Sequence, residues 1–137
     1  MTEEINPKAI MDFLKPRLGA RFKTWVQICT HCAMCADTCH FYLAGGKDPK
    51  MIPAYKVRFL KDLLKRKGRV DREYLQEIYK TVYYECNMCR RCTLFCPFGI
   101  DIGLLISLLR GLLFSQGIAP EGLMKAIENY RVSGNQM

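Results

Sequence analysis

Cys29-Thr30-His31-Cys32-Ala33-Met34-Cys35-Ala36-Asp37-Thr38-Cys39 and Cys86-Asn87-Met88-Cys89-Arg90-Arg91-Cys92-Thr93-Leu94-Phe95-Cys96 share one spacing, C-x2-C-x2-C-x3-C. Together they hold all eight cysteines of the chain. Thiolates three residues apart let the backbone fold back on itself and grip one compact inorganic core corner by corner. In two-cluster ferredoxins with this run, the fourth cysteine ligates the other cluster. The spacing therefore predicts two 4Fe–4S clusters. Cys29, Cys32, Cys35 and Cys96 hold the first, and Cys86, Cys89, Cys92 and Cys39 hold the second. Zinc fits less well: structural zinc sites use two separated cysteine pairs around one ion, whereas here a close triplet occurs twice with a displaced fourth thiol.

The linker between the motifs decides the architecture. Cys39 and Cys86 are separated by 46 residues, too many for the compact βαββαβ ferredoxin, and those residues read as two helices and a loop. Pro53 opens a helix to about Lys67, closed by Gly68. Val57, Leu60, Leu63 and Leu64 form its apolar stripe, with Lys56, Lys61, Lys65 and Arg66 covering the rest. Asp71 caps a further helix that turns Leu75, Ile78, Tyr79 and Val82 inward and runs toward Cys86. Asn6-Pro7 starts an earlier helix bearing Ile10, Phe13 and Leu14, stopped near Pro16 or Gly19. Asp101 caps one from Ile102 to about Gln116, and Pro120 to Arg131 forms the last, leaving a loose tail of six residues. No stretch alternates with period two. The expectation is an all-α, α-helical ferredoxin whose halves are a pseudo-duplication of about 57 residues, Cys29 to Cys86.

At 137 residues, half hydrophobic and a quarter charged, the chain fits a single domain, 1–137, with a core of about 22–117 and a C-terminal helix at 120–131. Charged residues from Glu3 and Glu4 to Lys23 leave no room for the apolar core of a signal peptide. A cytoplasmic, reducing setting follows, where thiols serve metals more often than disulfides. The longest apolar segment, Ile102 to Leu109, ends at Arg110 and falls short of the roughly 20 residues a membrane span needs. The formal charge is +8 with cysteines counted neutral. Two thiolate-ligated clusters at about −2 each would bring it to about +4, which halves the case for nucleic acid and suits an acidic protein partner or an anionic surface equally well.

Several other residues have both a functional and a plain reading. His31 and His40 flank ligands and either tune them by hydrogen bonding or simply face water. Arg90 and Arg91, inside the second triplet, raise a cluster potential, steer an acidic partner or pair with a neighbouring acid. Phe41, Tyr42, Phe95 and Phe98 read as shields against water. The basic run Lys61 to Arg72 reads as the wet face of a helix or as a docking surface. The Ile102–Phe114 stretch is apolar on nearly all sides and reads as a central helix, a subunit interface, or both.

The residues Cys29-x2-Cys32-x2-Cys35-Ala36-Asp37-x-Cys39-His40-Phe41, the Gly46-Lys47-Asp48-Pro49 loop, and Cys89-Arg90-Arg91-Cys92-x2-Phe95-Cys96-Pro97-x-Gly99-Ile100-Asp101 carry a resemblance. From about Trp25 to Gln116 the chain resembles the C-subunit-like two-cluster helical ferredoxins of heterodisulfide reductase and the ferredoxin half of succinate dehydrogenase-type proteins. It is most similar to the ferredoxin half of the heterodisulfide-reductase-like iron–sulfur proteins of sulfur metabolism, including the K subunits of the sulfite-reductase membrane complex. The resemblance implies an iron–sulfur relay subunit with no catalytic residue of its own, in a hetero-oligomer. It would pass single electrons between a flavin/iron–sulfur or quinone-linked donor subunit and a CCG-domain catalytic subunit acting on a disulfide or sulfur substrate. This sequence has no adjacent cysteine pair, so the CCG module is expected on a separate subunit. Membrane association is expected only through partners. The alternative from another class is a metal-folded structural or nucleic-acid-binding module with no redox role.

Overall fold

Local chemistry starts each helix where the sequence marks it. The Asn6 side chain accepts hydrogen bonds from the backbone N–H of Lys8 at 3.0 Å and Ala9 at 3.3 Å. Pro7 then occupies the first helical position, where its missing N–H costs nothing, and helix α1 runs Pro7–Arg17. The computed structural model describes residues 5–135, and no strand occurs among them. The all-α expectation is met. Glu3, Glu4 and the final two residues of the expected loose tail, Gln136 and Met137, lie outside the described residues.

Helix α2 (Ala20–Ile28) leads directly into Cys29 and has no counterpart in the sequence reading. Its apolar stripe is short, and only Val26 is buried, so periodicity gave little signal. Beyond the first motif come a single turn, α3 (His40–Ala44), and a 3-10 turn at Pro49–Met51. Helix α4 (Pro53–Lys65) follows, with Gly68 closing the turn after it. Gly68 has φ +75°, and a Cβ there would stand 2.6 Å from the Pro7 carbonyl oxygen, so only glycine lets this turn pass under α1. Helix α5 (Arg72–Tyr79) starts as expected on Asp71, whose carboxylate accepts from the Tyr74 N–H at 2.8 Å.

Two local departures from the sequence reading bear on function. First, α5 does not continue to the second motif as a plain α-helix: Lys80–Tyr84 is a π-helical turn, a wider winding often found beside functional sites. Second, Lys56 does not face water with the other lysines of α4. It is 2% exposed, while Val57, Leu60 and Leu63 are buried as expected and Leu64 is half-buried.

The second motif ends in α6 (Arg91–Leu94). Asp101 then caps α7 (Ile102–Ser115) by accepting from Leu104 N–H at 3.0 Å. Eight residues of α7 are buried. Helices α1, α4, α5 and α6 and the π turn all pack against it, and α2 packs on α4. The core contains Ile10, Leu14 and Leu18, ahead of residue 22, together with Val57, Leu60, Leu63, Leu75, Ile78, Leu105 and Leu109. Helix α8 (Glu121–Ser133) has no buried residue and extends two residues past the expected Arg131, so Val132 and Ser133 are helical rather than loose.

Tyr74 fastens α5 to α4 through a 3.3 Å hydrogen bond from its hydroxyl to Asp62. Burial, reinforced by the Asp62 carboxylate, pushes its phenol above the ordinary value of 10.0. A raised phenol contributes stability that is intact below pH 10 and is lost as pH climbs toward the folded-state value. Melting temperatures measured from pH 8 to 11 should fall above pH 10, and Tyr74→Phe should flatten that fall.

Candidate metal centres

Each cysteine loop is bent by the same unusual backbone. His31 (φ 55°) and Ala33 (φ 63°) in the first motif, and Met88 (φ 59°) and Arg90 (φ 62°) in the second, adopt the left-handed conformation without being glycine. They occupy equivalent places in the two motifs, 57 residues apart, so the internal repeat extends to the backbone. Such residues cost about 1–3 kcal/mol each and persist where the surroundings demand them. In the second loop the Met88 N–H donates to Cys86 Sγ at 3.4 Å. In the first, His31 Nδ1 stands 3.8 Å from Cys29 Sγ.

Two cavities open against these loops. One is lined by Cys29, Cys32 and Cys35 and by Cys96 from the other half, with Ala54, Phe98, Ile100 and Ile102 among its walls. The other is lined by Cys86, Cys89 and Cys92 and by Cys39 from the first half, with Pro53, Lys56 and Gly103 among its walls. Ile102 lines both, so the cavities are neighbours separated by the start of α7.

Burial pushes the Cys92 thiol up to about 12, with the nearby thiols of Cys86, Cys35, Cys89 and Cys39 adding to the rise. That set spans both halves of the chain. Cys35 is raised to about 11, again first by burial, with a backbone hydrogen bond from Ala54 acting in the opposite direction. Thiols held this way stay protonated in the metal-free chain. A bound cation would reverse the preference, because a coordinating thiol is deprotonated outright.

The lining fits an anionic, polynuclear group. Among the described residues no three His, Cys, Asp or Glu side chains approach closely enough to hold a single ion. Instead, four cysteines line each cavity. The second cavity also has a buried cation in its wall. Lys56 Nζ donates to the Glu85 carbonyl oxygen and lies 5.8 Å from the centre of the Phe41 ring. No ion pair to it occurs among the described residues.

Other residues raised by the sequence sort clearly. Phe41 and His40 line the second cavity, Phe98 and His31 the first, while Tyr42 and Phe95 line neither and Phe95 is 60% exposed. Arg90 forms an ion pair with Asp101 and, like Arg91, lines the second cavity. Gly103 permits this arrangement, since a Cβ there would meet Arg90 Cγ at 2.6 Å. Asp101 also accepts from the Thr93 hydroxyl at 3.2 Å, so one carboxylate joins the second loop to α7. Sequence reasoning missed Arg110. Its guanidinium donates to the Val82 carbonyl at 2.9 Å and the Cys86 carbonyl at 2.6 Å, capping the π turn where it enters the motif. Lys56 could have been found: it shares the 56, 59, 60, 63 helical register with Phe59, Leu60 and Leu63, and its charge alone argued for the surface.

An all-helical frame with two neighbouring cavities, each walled by four cysteines drawn from both halves, defines a class of iron–sulfur protein. The chain belongs to the 4Fe–4S dicluster domain family, whose model it matches over residues 25–100. With eight cysteines in that family's pattern, its cofactors are iron–sulfur clusters. Two curated relatives then narrow the resemblance. The "Hdr-like menaquinol oxidoreductase iron-sulfur subunit 2" of Archaeoglobus fulgidus is 32% identical over 148 residues, covering 98% of this chain and 26% of that protein. The "Hdr-like menaquinol oxidoreductase iron-sulfur subunit" of Archaeoglobus profundus is 31% identical over 143 residues, covering 93% and 26%. The chain thus spans about a quarter of the length of the curated relatives it matches. No solved structure matches it at a significant level. The likeness to heterodisulfide-reductase-like two-cluster ferredoxins expected from the sequence is borne out.

The three contacts of Asp101 predict a measurable loss. Asp101→Ala should lower the stability of the loaded protein by about 1–2 kcal/mol, the range of a lost N-cap, read as a shift in denaturant midpoint. Asp101→Asn keeps the cap acceptor and should cost clearly less.

Proposed function

We propose that the chain folds as a single domain carrying two 4Fe–4S clusters and works as the electron-relay subunit of a heterodisulfide-reductase-like complex. Cys29, Cys32, Cys35 and Cys96 would hold one cluster, and Cys86, Cys89, Cys92 and Cys39 the other. The observation that carries this reading is the composition of the two cavities, each of which includes one complete triplet and the fourth cysteine of the opposite half. When bound, clusters of this kind accept and release one electron at a time.

The chain's own residues supply the rest. The crossed thiols tie the two halves together and make metal binding part of the folding free energy. Ile102, Ile100, Ala54 and Phe98 supply apolar wall to the first site, while Phe41, Pro53 and Ile106 supply the apolar part of the second. Ile102, common to both walls, keeps the two sites adjacent, as a relay requires.

The names of the relatives favour a quinone-linked donor over a flavin one. On this reading electrons pass between a quinol-oxidising partner and a CCG-domain catalytic subunit, with the catalytic cysteines carried outside these 137 residues. Exposed Leu94, Phe95 and Phe98 surround Cys96 on the surface, and a partner would cover them in a hetero-oligomer. No helix among the described residues is long and apolar enough to cross a membrane, so any membrane contact would come through that partner.

The test is anaerobic purification with metal and sulfide analysis. About eight irons and about eight sulfides per chain are expected, with a broad visible absorbance that bleaches on dithionite. A colourless protein holding zinc would overturn the reading and leave a metal-folded structural module. For the crossed assignment, Cys39→Ser should alter the paramagnetic signal of the cluster on the C-terminal triplet, and Cys96→Ser the signal of the other. The opposite pairing would refute it.

A further inference from the structure

The two cavities differ in one respect that their matching cysteine patterns do not suggest. Around the first, the lining contains no lysine, arginine or carboxylate, and its only ionisable side chain besides the thiols is the exposed His31. Around the second, the lining contains Lys56, Arg90, Arg91 and Glu85. Two of these charges are answered locally, Arg90 by Asp101 and Glu85 by Lys80. Arg91 is exposed and screened by water. Lys56 is the exception: it is the one charged side chain buried in the core among the described residues. Among the described residues its ammonium hydrogen-bonds to the neutral carbonyl of Glu85 and to no carboxylate.

A buried ammonium without an anion is costly, and proteins keep one where a counter-charge completes it. The cavity wall in which it stands also carries four thiols, Cys39, Cys86, Cys89 and Cys92. A thiolate-ligated cluster is anionic and gains a further negative charge on reduction, so a fixed cation at its wall favours the reduced state. Lys56 is itself 2% exposed, so its charge is screened little by solvent.

We infer that Lys56 makes the site formed by Cys86, Cys89, Cys92 and Cys39 the higher-potential one of the pair, so that an electron shared between the two sites rests there. This rests on the two-cluster reading above and adds a direction to it. The site of Cys29, Cys32, Cys35 and Cys96 is then the one at which reduction is harder. An electron moving from that site to its neighbour moves downhill, with one site oxidised as the other is reduced.

The experiment is a potentiometric titration of the anaerobically purified protein with dithionite, followed by electron paramagnetic resonance. The signals are assigned by Cys89→Ser, which should alter only the one belonging to the C-terminal triplet. In the unsubstituted protein that signal should appear first. Lys56→Met should then lower the potential of that site by at least tenfold in its reduction equilibrium, 59 mV for one electron. Lys56→Arg should restore most of it, and the other site should move far less.

A purely structural role for Lys56 predicts the opposite sign. Loosening the wall would admit water, which stabilises the more negative reduced state and raises the potential. An unchanged or raised potential in Lys56→Met therefore overturns the inference. So does reduction of the N-terminal triplet's site first in the unsubstituted protein, a result that decides the matter even if Lys56→Met fails to assemble. Iron and sulfide at about half of the expected content, or a single signal, would instead refute the two-cluster reading itself.

Discussion

Helix α7 offers water almost no polar face, and its burial organises the rest of the molecule. Each large apolar side chain removed from water is worth about 1.5–3 kcal/mol, and eight residues of this one helix are buried. Several of the elements that cover it also serve the cysteine loops. Helix α4 brings Pro53, Ala54 and Lys56 to the cavities, the π turn delivers Cys86, and α6 carries Cys92. The N-terminal end of α7 supplies Ile102 to both cavities and Gly103 to one. Covering a hydrophobic helix and assembling two sets of thiols are thus the same packing event.

That arrangement has costs that the metal-free chain does not offset by itself. Four non-glycine residues in the loops hold left-handed conformations, buried thiols crowd one another, and a lysine lies in the core without a carboxylate. All three features favour the same kind of guest: an anion whose metal ions take the protons' place on sulfur. These features are what a site complementary to an iron–sulfur core requires. Arg110 shows the care taken at the entry to the second loop, where it satisfies carbonyls that the π turn leaves open at Val82 and Cys86.

The repeat is close in sequence and in backbone, yet the two sites are unlike in charge. Duplicate loops keep the same bends because thiols spaced this way need them. The walls come from different helices, and those are free to diverge. The second site gained Lys56 and the Arg90–Asp101 pair, while the first is walled by small and apolar residues. A relay of two sites has direction only if its halves differ, and the walls are where the difference lies.

Much of this was legible in the chain before any fold was known. The cysteine spacing named the chemistry, and the length of the linker excluded the β-rich ferredoxin. The caps at Asn6, Asp71 and Asp101 marked helix starts to the residue, because capping is a local hydrogen-bond rule. Helix α2 was missed because its stripe is short, and the π turn because its winding answers to Arg110, 28 residues beyond Val82. The burial of Lys56 belongs with these. Periodicity put it on the apolar face, but only the packed structure could set that face against a cavity of thiols rather than against water. Sequence by itself determines what a residue offers, through its spacing, charge and local bonds. Which partners meet across the fold is decided by tertiary packing, since the contacts of Cys39 and Lys56 with the second half depend on how all the helices close around α7.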